Sequence, residues 1–276
     1  MSHRDLLGKI REQGLIHVGF QHHTPPFAYK AAQQVEPIGY SVDICNRVLR
    51  GICVELGLEE IQISPVEVTS STRQGMLDQG LIDMECGSTS ITPARQKNTL
   101  FSQPIFYTAH RIAVKNSHAE SAAHSKQPLR ATGIENSTSH HAILNWPEAP
   151  RAIEFFGCSS IHSAFERFQN DPAIEVMVAD EVILKSLLLQ SGSSDMVLLP
   201  MRLKGESYGF MFHKEEHQFK ALVDQQLSRI FQADEFEKLY ARWFMNTLPD
   251  LNFNLDLPLH TTQPQLRQPG QLGKQS

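Results

Sequence analysis

No stretch of this 276-residue chain approaches the roughly 18 consecutive apolar residues of a membrane-spanning helix. Neither charge dominates: 25 Lys and Arg stand against 30 Asp and Glu, a net charge of −5. Nucleic-acid binding calls for a clustered basic face, and its absence excludes nucleic acid as a partner. Cysteine is scarce, with four residues, no CxxC pair and no Cys/His spacing of the zinc type, so no metal or other cofactor is expected. Cys45 and Cys53 fall on one helical pattern about 12 Å apart along the axis, beyond the ~7 Å reach of a disulfide, and the cysteines read as free core thiols. There is no GxSxG nucleophile elbow, no HExxH and no repeat of solenoid period. The opening "MSHRDLLGKIREQG" is charged and amphipathic, without the apolar core of a secretory leader. On that ground the chain is expected either to stay in the cytoplasm or to be a mature form.

What is present is a globular composition, 41% hydrophobic, arranged in two alternating sets of strands and helices. "LIHVGF" (15–20) reads as a strand. Residues 39–57 carry an apolar stripe, Val42, Cys45, Val48, Leu49, Ile52, Cys53 and Leu56, with Gly57 as the stop. Strand 61–68, helix 72–79 and strand 81–86 follow. This β-α-β-α-β order implies a parallel, helix-covered sheet. Residues 103–115 lead out as a long strand, and 116–127 form a polar break. A second set follows: strands at 129–134, 152–156, 174–179 and 196–199, with helices near 138–146, 162–169 and 181–190. After an extended stretch at 207–213, two amphipathic helices carry Phe219, Leu222, Val223, Leu227, Ile230 and Phe231, then Phe236, Leu239, Tyr240, Trp243 and Phe244. These need a partner surface, which the first set can supply. The tail 258–276 has almost nothing to bury and is expected to be disordered.

The stretch "ECGSTSITPARQ" (85–96) crowds small hydroxyls, a helix start and one arginine behind a strand. In open α/β sheets, ligands meet the carboxyl ends of strands. Thr92 is placed as N-cap and Pro93 at the first helical position. Ser88 and Ser90 supply hydroxyl donors and Arg95 a guanidinium fork, a set suited to a carboxylate. An ordinary capped helix with a surface arginine fits the same spacing.

The stretch "STRQGMLDQGLIDMECGSTSITPARQKNTLFSQPIF" resembles the family-3 amino-acid-binding proteins of ABC transporters, above all their glutamate/aspartate-binding branch. "VGFQHHTPPFAY", "GYSVDI", "ESYGFMFHKEEHQF" and "WFMNTLPDLNFNL" match the same family in order, so the likeness spans roughly residues 5–257. It implies an α/β fold of the bilobal periplasmic-binding-protein type II class. Two mixed sheets flanked by helices are joined by crossover strands near 105–115 and 206–213. The lobes would divide as 1–110 and 111–207, with 208–257 returning to the first. By the family's pattern Ser88, Ser90 and Arg95 hold the ligand α-carboxylate, and Asp180 takes the α-ammonium. Ser137, Thr138 and Ser139 are candidate donors from the second lobe. Ser70 and Arg73 match positions that meet a ligand's second carboxylate.

The chain departs from the branch at two points. A further arginine expected in the first loop is Gln21, and the branch's histidine falls at Ile161, with His162 one residue on. The expected ligand is therefore an acidic or polar amino acid. Phe20, Phe27 and Tyr40 are candidates for an aromatic wall, although as core residues they need no such role. The histidine pairs His22–His23 and His140–His141 read as solvated loop residues.

The resemblance implies a monomeric solute-binding protein, periplasmic and without enzymatic activity, whose partners are an amino acid and the permease subunits of an ABC transporter. Two alternatives share the scaffold. One is an enzyme of the cyclohexadienyl dehydratase kind, drawing a general acid from Glu85, His162 or a loop histidine. The other is an orphan amino-acid sensor domain.

Overall fold

The computed structural model describes residues 5–32, 34–116 and 126–267. The chain forms two compact units, residues 1–107 with 207–276, and residues 108–206. It passes from one to the other at 107/108 and again at 206/207.

Unit 1 begins with helix α1 (Leu6–Gln13), strand β1 (Leu15–Phe20) and a small hairpin of β2 (His23–Thr24) and β3 (Ala28–Tyr29). Then come α2 (Tyr40–Glu55), β4 (Gln62–Glu67), α3 (Arg73–Gln79), β5 (Met84–Glu85), the single turn α4 (Pro93–Gln96) and β6 (Thr99–Phe101). Strand β7 (Phe106–Lys115) runs into unit 2, which holds β8 (Leu129–Ile134), α5 (Thr138–Leu144), β9 (Ile153–Cys158), α6 (Ile161–Asn170) and β10 (Val176–Asp180). It continues through α7 (Glu181–Ser191) and β11 (Met196–Leu198) to β12 (Gly205–Tyr208). Unit 1 resumes with β13 (Met211–His213), α8 (His217–Gln232), α9 (Glu235–Phe244), α10 (Leu259–Thr262) and a 3-10 turn (Pro264–Arg267).

Both sheets are mixed. The order in unit 1 is β4-β1-β5-β13-β6, with β1 parallel to β4 and β5 and only β13 reversed. In unit 2 the order is β11-β7-β10-β8-β9, with β12 against β7. There β8 is parallel to β9 and β10, and β7 is antiparallel to β10 and β11. Parallel neighbours demand helical crossovers, which is what the alternating pattern of the sequence implied.

The α2 stripe is buried as its spacing predicts, from Val42 through Cys53. Its start depends on Gly39, at φ +142, where a Cβ would lie 2.1 Å from the Phe27 carbonyl oxygen. The surface sought by the two C-terminal helices includes α2. Trp243 donates Nε1–H to Asp43 at 2.8 Å and Gln226 donates to Glu55 at 2.9 Å. Each large apolar side chain these helices bury contributes about 1.5–3 kcal/mol.

The tail differs from expectation as far as Arg267. Leu259, Gln263 and Leu266 are buried, and Tyr240 and Thr262 share a hydroxyl hydrogen bond of 2.8 Å. Gln263 accepts from the Tyr107 N–H and donates to its carbonyl, both at 2.7 Å, closing the end of β7 as a neighbouring strand would. Low hydrophobicity concealed this because the anchoring residue is an amide. Residues 268–276 lie outside the described part, as do 117–125 of the polar break.

All four cysteines are free, three of them buried and Cys158 half-buried. Among the described residues, no helix is long and apolar enough to cross a membrane.

Candidate ligand-binding site

In unit 1 the loop after β5 is held by contacts within the unit. Ser41 donates to the Gly87 carbonyl at 2.9 Å, Ser90 bridges Tyr208, and Ile91 N–H reaches the Ser207 carbonyl at 2.8 Å. Thr92 caps the following turn, accepting from the Arg95 N–H at 3.2 Å, with Pro93 behind it as the sequence indicated. The helix is only one turn, however, because Lys97 already caps it. Its dipole is correspondingly small.

Arg95 curls back and donates Nη1–H to the Ser90 carbonyl at 2.8 Å. Arg73 opens α3 and is buried. Burial lowers its pKa to about 10, with Arg95 adding to the fall and Glu85 opposing it. The fully buried Glu85 accepts from Thr89 at 2.7 Å. Burial raises its pKa, while Arg73, Thr89 and Arg95 act against the rise. Two guanidiniums and one carboxylate therefore interact around this loop. Ser88 is half-buried and Ser90 buried, whereas Ser70 lies on the surface. Gln21 stands directly after β1, its amide nitrogen 3.8 Å from where a Gly87 Cβ would be.

Phe27 is a correction. It has no exposed surface and packs edge-on against Phe106 and Tyr208 at centroid separations of 4.9 and 5.1 Å. Tyr40 and Phe20 are equally buried, Tyr40 donating to the Ile105 carbonyl at 2.8 Å. The three side chains belong to the core of unit 1, where edge-to-face pairs stabilise by about 0.5–1.5 kcal/mol beyond burial.

In unit 2, Asp180 ends β10 and precedes α7, the place of an N-cap. Its side chain makes no capping hydrogen bond. Instead Oδ1 lies 2.6 Å from Nδ1 of His110 on β7, directly across the strand pair. The other face of the ring meets Glu206 of β12, with Nε2 2.9 Å from Oε1. His110 is wholly buried and Glu206 nearly so. Burial by itself would lower the imidazole pKa, but its contacts with Asp180 and Glu206 outweigh that and lift it to about 9. Alongside, Arg111 pairs with Glu181 at 2.6 Å, and Arg202 reaches the same carboxylate at 3.0 Å.

The remaining unit 2 candidates are partly corrected. Ser137 spends its hydroxyl on the Ile134 carbonyl at 2.7 Å and accepts from His140 N–H as the N-cap of α5. Thr138 donates to Glu206 Oε2 at 3.0 Å, so it supports the His110 cluster. Ser139 is buried. His162 stands 69% exposed on α6, 3.4 Å from Glu166; the helix turns Ile161 inward and leaves the histidine to solvent. His140 and His141 lie in α5 rather than a loop, His140 stacked on Phe155 at 3.8 Å. His22 pairs with Glu67 at 3.4 Å, and burial lowers its pKa.

Sequence reasoning missed His110 and Glu206. The available signal was one histidine beside Ala109, Ile112 and Ala113 in a strand that also carries Thr108, Arg111 and Lys115.

Residues 16–246 match the model of the bacterial extracellular solute-binding proteins, family 3. The chain belongs to this family. It is 27% identical over 256 residues to the "Glutamate/aspartate import solute-binding protein" of Escherichia coli (strain K12), covering 92% of this chain and 84% of the relative. Among solved structures it resembles a mutant of ArgBP from T. maritima, with TM-score 0.73 and 19% identity, over 88% of this chain and all of the other. It also resembles the ancestral amino-acid-binding protein AncCDT-1, a precursor of cyclohexadienyl dehydratase, with TM-score 0.69 and 20% identity, over 87% and 99%. These likenesses show the fold, the type II periplasmic-binding class. The chain is thus a solute-binding protein by family, with Arg73, Arg95 and Asp180 at strand-end and helix-start positions of its two units.

Proposed function

We propose that the chain binds an acidic or polar amino acid in the periplasm and passes it to the permease of an ABC transporter. Arg95, with Ser88 and Ser90, takes the α-carboxylate; Arg73 and Gln21 meet the side chain, with Ser70 nearby in sequence; Asp180 takes the α-ammonium. The observation that carries this reading is the division of charge. Unit 1 carries two guanidiniums, Arg73 at the start of α3 and Arg95 in α4, and β10 of unit 2 ends on a carboxylate. A zwitterion has both complements, and each of its charges is paired as it is taken from water.

Gln21, in place of a third guanidinium, favours a side chain ending in an amide or hydroxyl as much as a second carboxylate. A thermal-shift panel of the twenty amino acids and small dicarboxylates tests the reading. A ligand at a hundredfold its Kd adds about 2.7 kcal/mol of apparent stability. No shift across the panel overturns it.

We infer further that the chain carries out no reaction of the dehydratase kind. That chemistry needs a general acid beside the substrate. Of the candidates, Glu85 is fully buried and hydrogen-bonded to Thr89, His162 stands out in solvent, and of the histidines read as loop residues His140 is stacked on Phe155 and His22 is paired with Glu67. Incubation with prephenate, followed for the aromatic product, checks this.

A further inference from the structure

Glu206 and Asp180 are two carboxylates of unit 2, the side chain of the first almost fully buried and that of the second partly so, and the donor atoms of both and of His110 lie within 4.8 Å of one another. Two carboxylates that close, out of water, do not both stay ionised unless a cation stands with them; otherwise they share a proton. The ring of His110 stands with them, its two nitrogens facing the two carboxylates separately, at 2.6 and 2.9 Å. A neutral imidazole carries a proton on only one nitrogen and would leave the other facing an anion lone pair to lone pair.

Histidine, aspartate and glutamate are also metal-ligand types. A chelated ion, however, would need both carboxylates on the side of one ring nitrogen, and here they lie against different ones.

The cluster spans three strands. His110 is on β7, just past the first passage between the units, and Asp180 is opposite it on β10. Glu206 is on β12, the last residue before the second passage, and is steadied by Thr138 of α5. Alongside, Arg111 and Arg202 share the Glu181 carboxylate, a separate cluster with one positive charge in excess.

We propose that His110 is a positioning and charge-setting residue, held as an imidazolium between Asp180 and Glu206. It brings the charge at the ammonium end of the ligand site from −2 to −1 and matches the site to a ligand bearing a single ammonium. The role of Asp180 as ammonium acceptor rests on the proposed function; the state of His110 does not. One ammonium then completes a neutral buried set of four groups without moving a proton. Without the imidazolium, the pair of carboxylates would hold a shared proton that the incoming ammonium must expel.

Two experiments test this on the full chain. In 15N–1H correlation spectra of the wild-type protein at pH 8, one of the thirteen histidines is expected to retain imidazolium shifts on both nitrogens. Thirteen neutral rings overturn the proposal, with no variant needed. Calorimetry with the best amino acid of the panel is then run at pH 6, 7 and 8 in buffers of differing ionisation enthalpy. Wild type is expected to bind with flat affinity and no proton exchange. H110Q, its fold checked by circular dichroism, is expected to release close to one proton and to gain about tenfold in affinity per pH unit. A flat H110Q profile overturns the proposal. So does a Zn2+-induced rise in wild-type Tm that H110Q lacks, which would make the cluster a chelate. If no amino acid binds wild type, the proposed function fails while the spectral test of His110 still stands.

Discussion

At the scale of single residues, the two ends of the candidate site differ in how much the sequence disclosed. Arg95 was legible because its neighbours are local: Thr92, Pro93 and the hydroxyl loop lie within a few positions, and the turn that carries it forms as its capping signals require. Arg95→Ala is expected to weaken binding of the best ligand by roughly 2–5 kcal/mol, the penalty of leaving a buried carboxylate unpaired; unchanged affinity in calorimetry removes Arg95 from the site. His110 was not legible, because its partners stand 70 and 96 positions away and no local pattern announces them. Its folded pKa of about 9 lies above the ordinary 6.5. The cluster's contribution is therefore complete below pH 6.5 and drains away as pH rises through 9. At about 1.4 kcal/mol per pKa unit it amounts to roughly 3 kcal/mol. Urea unfolding at pH 6 and pH 9.5 should show that loss in wild type.

At the scale of elements, periodicity found the longer strands and helices, since each buries one face and the spacing of apolar residues records which. The β2–β3 hairpin, β6 and α10 are too short to show a period, and two local details escaped it as well. The helix after Pro93 is one turn, a length that capping signals do not report. The start of α2 depends on a backbone contact: at Gly39 a Cβ would strike the Phe27 carbonyl, which accepts the Ser41 N–H at 2.9 Å. Gly39→Ala is expected to destabilise by at least about 2 kcal/mol through strain and displacement of the turn, measured as a lower urea midpoint at unchanged m-value. A midpoint within error of wild type would show that the turn relaxes freely. Ser160 and Ser163 close a reciprocal capping box at the start of α6, and Ser160→Ala is expected to cost about 0.5–2 kcal/mol without altering ligand affinity.

At the scale of the whole molecule, the chain divides into two units at 107/108 and 206/207. The C-terminal segment is the main revision. Ending the chain at Leu257 removes both hydrogen bonds to Tyr107, the Tyr240–Thr262 contact and the burial of Leu259 and Leu266. At about 1 kcal/mol per hydrogen bond and 1.5–3 kcal/mol per buried leucine, the truncated chain is expected to lose several kcal/mol in denaturant unfolding. Full stability after truncation would mark the segment as dispensable.

The sequence by itself determined the alternation of elements, the family and the arginine-bearing loop, because those depend on spacing within a dozen residues or on motifs kept in order. Only the tertiary structure decided that Phe27 is core, that Ser137 and Thr138 spend their hydroxyls within unit 2, and that Asp180 leans on a histidine. Those outcomes depend on which distant side chains meet across a sheet. Strand register sets that pairing, and a one-dimensional pattern of polarity does not encode it.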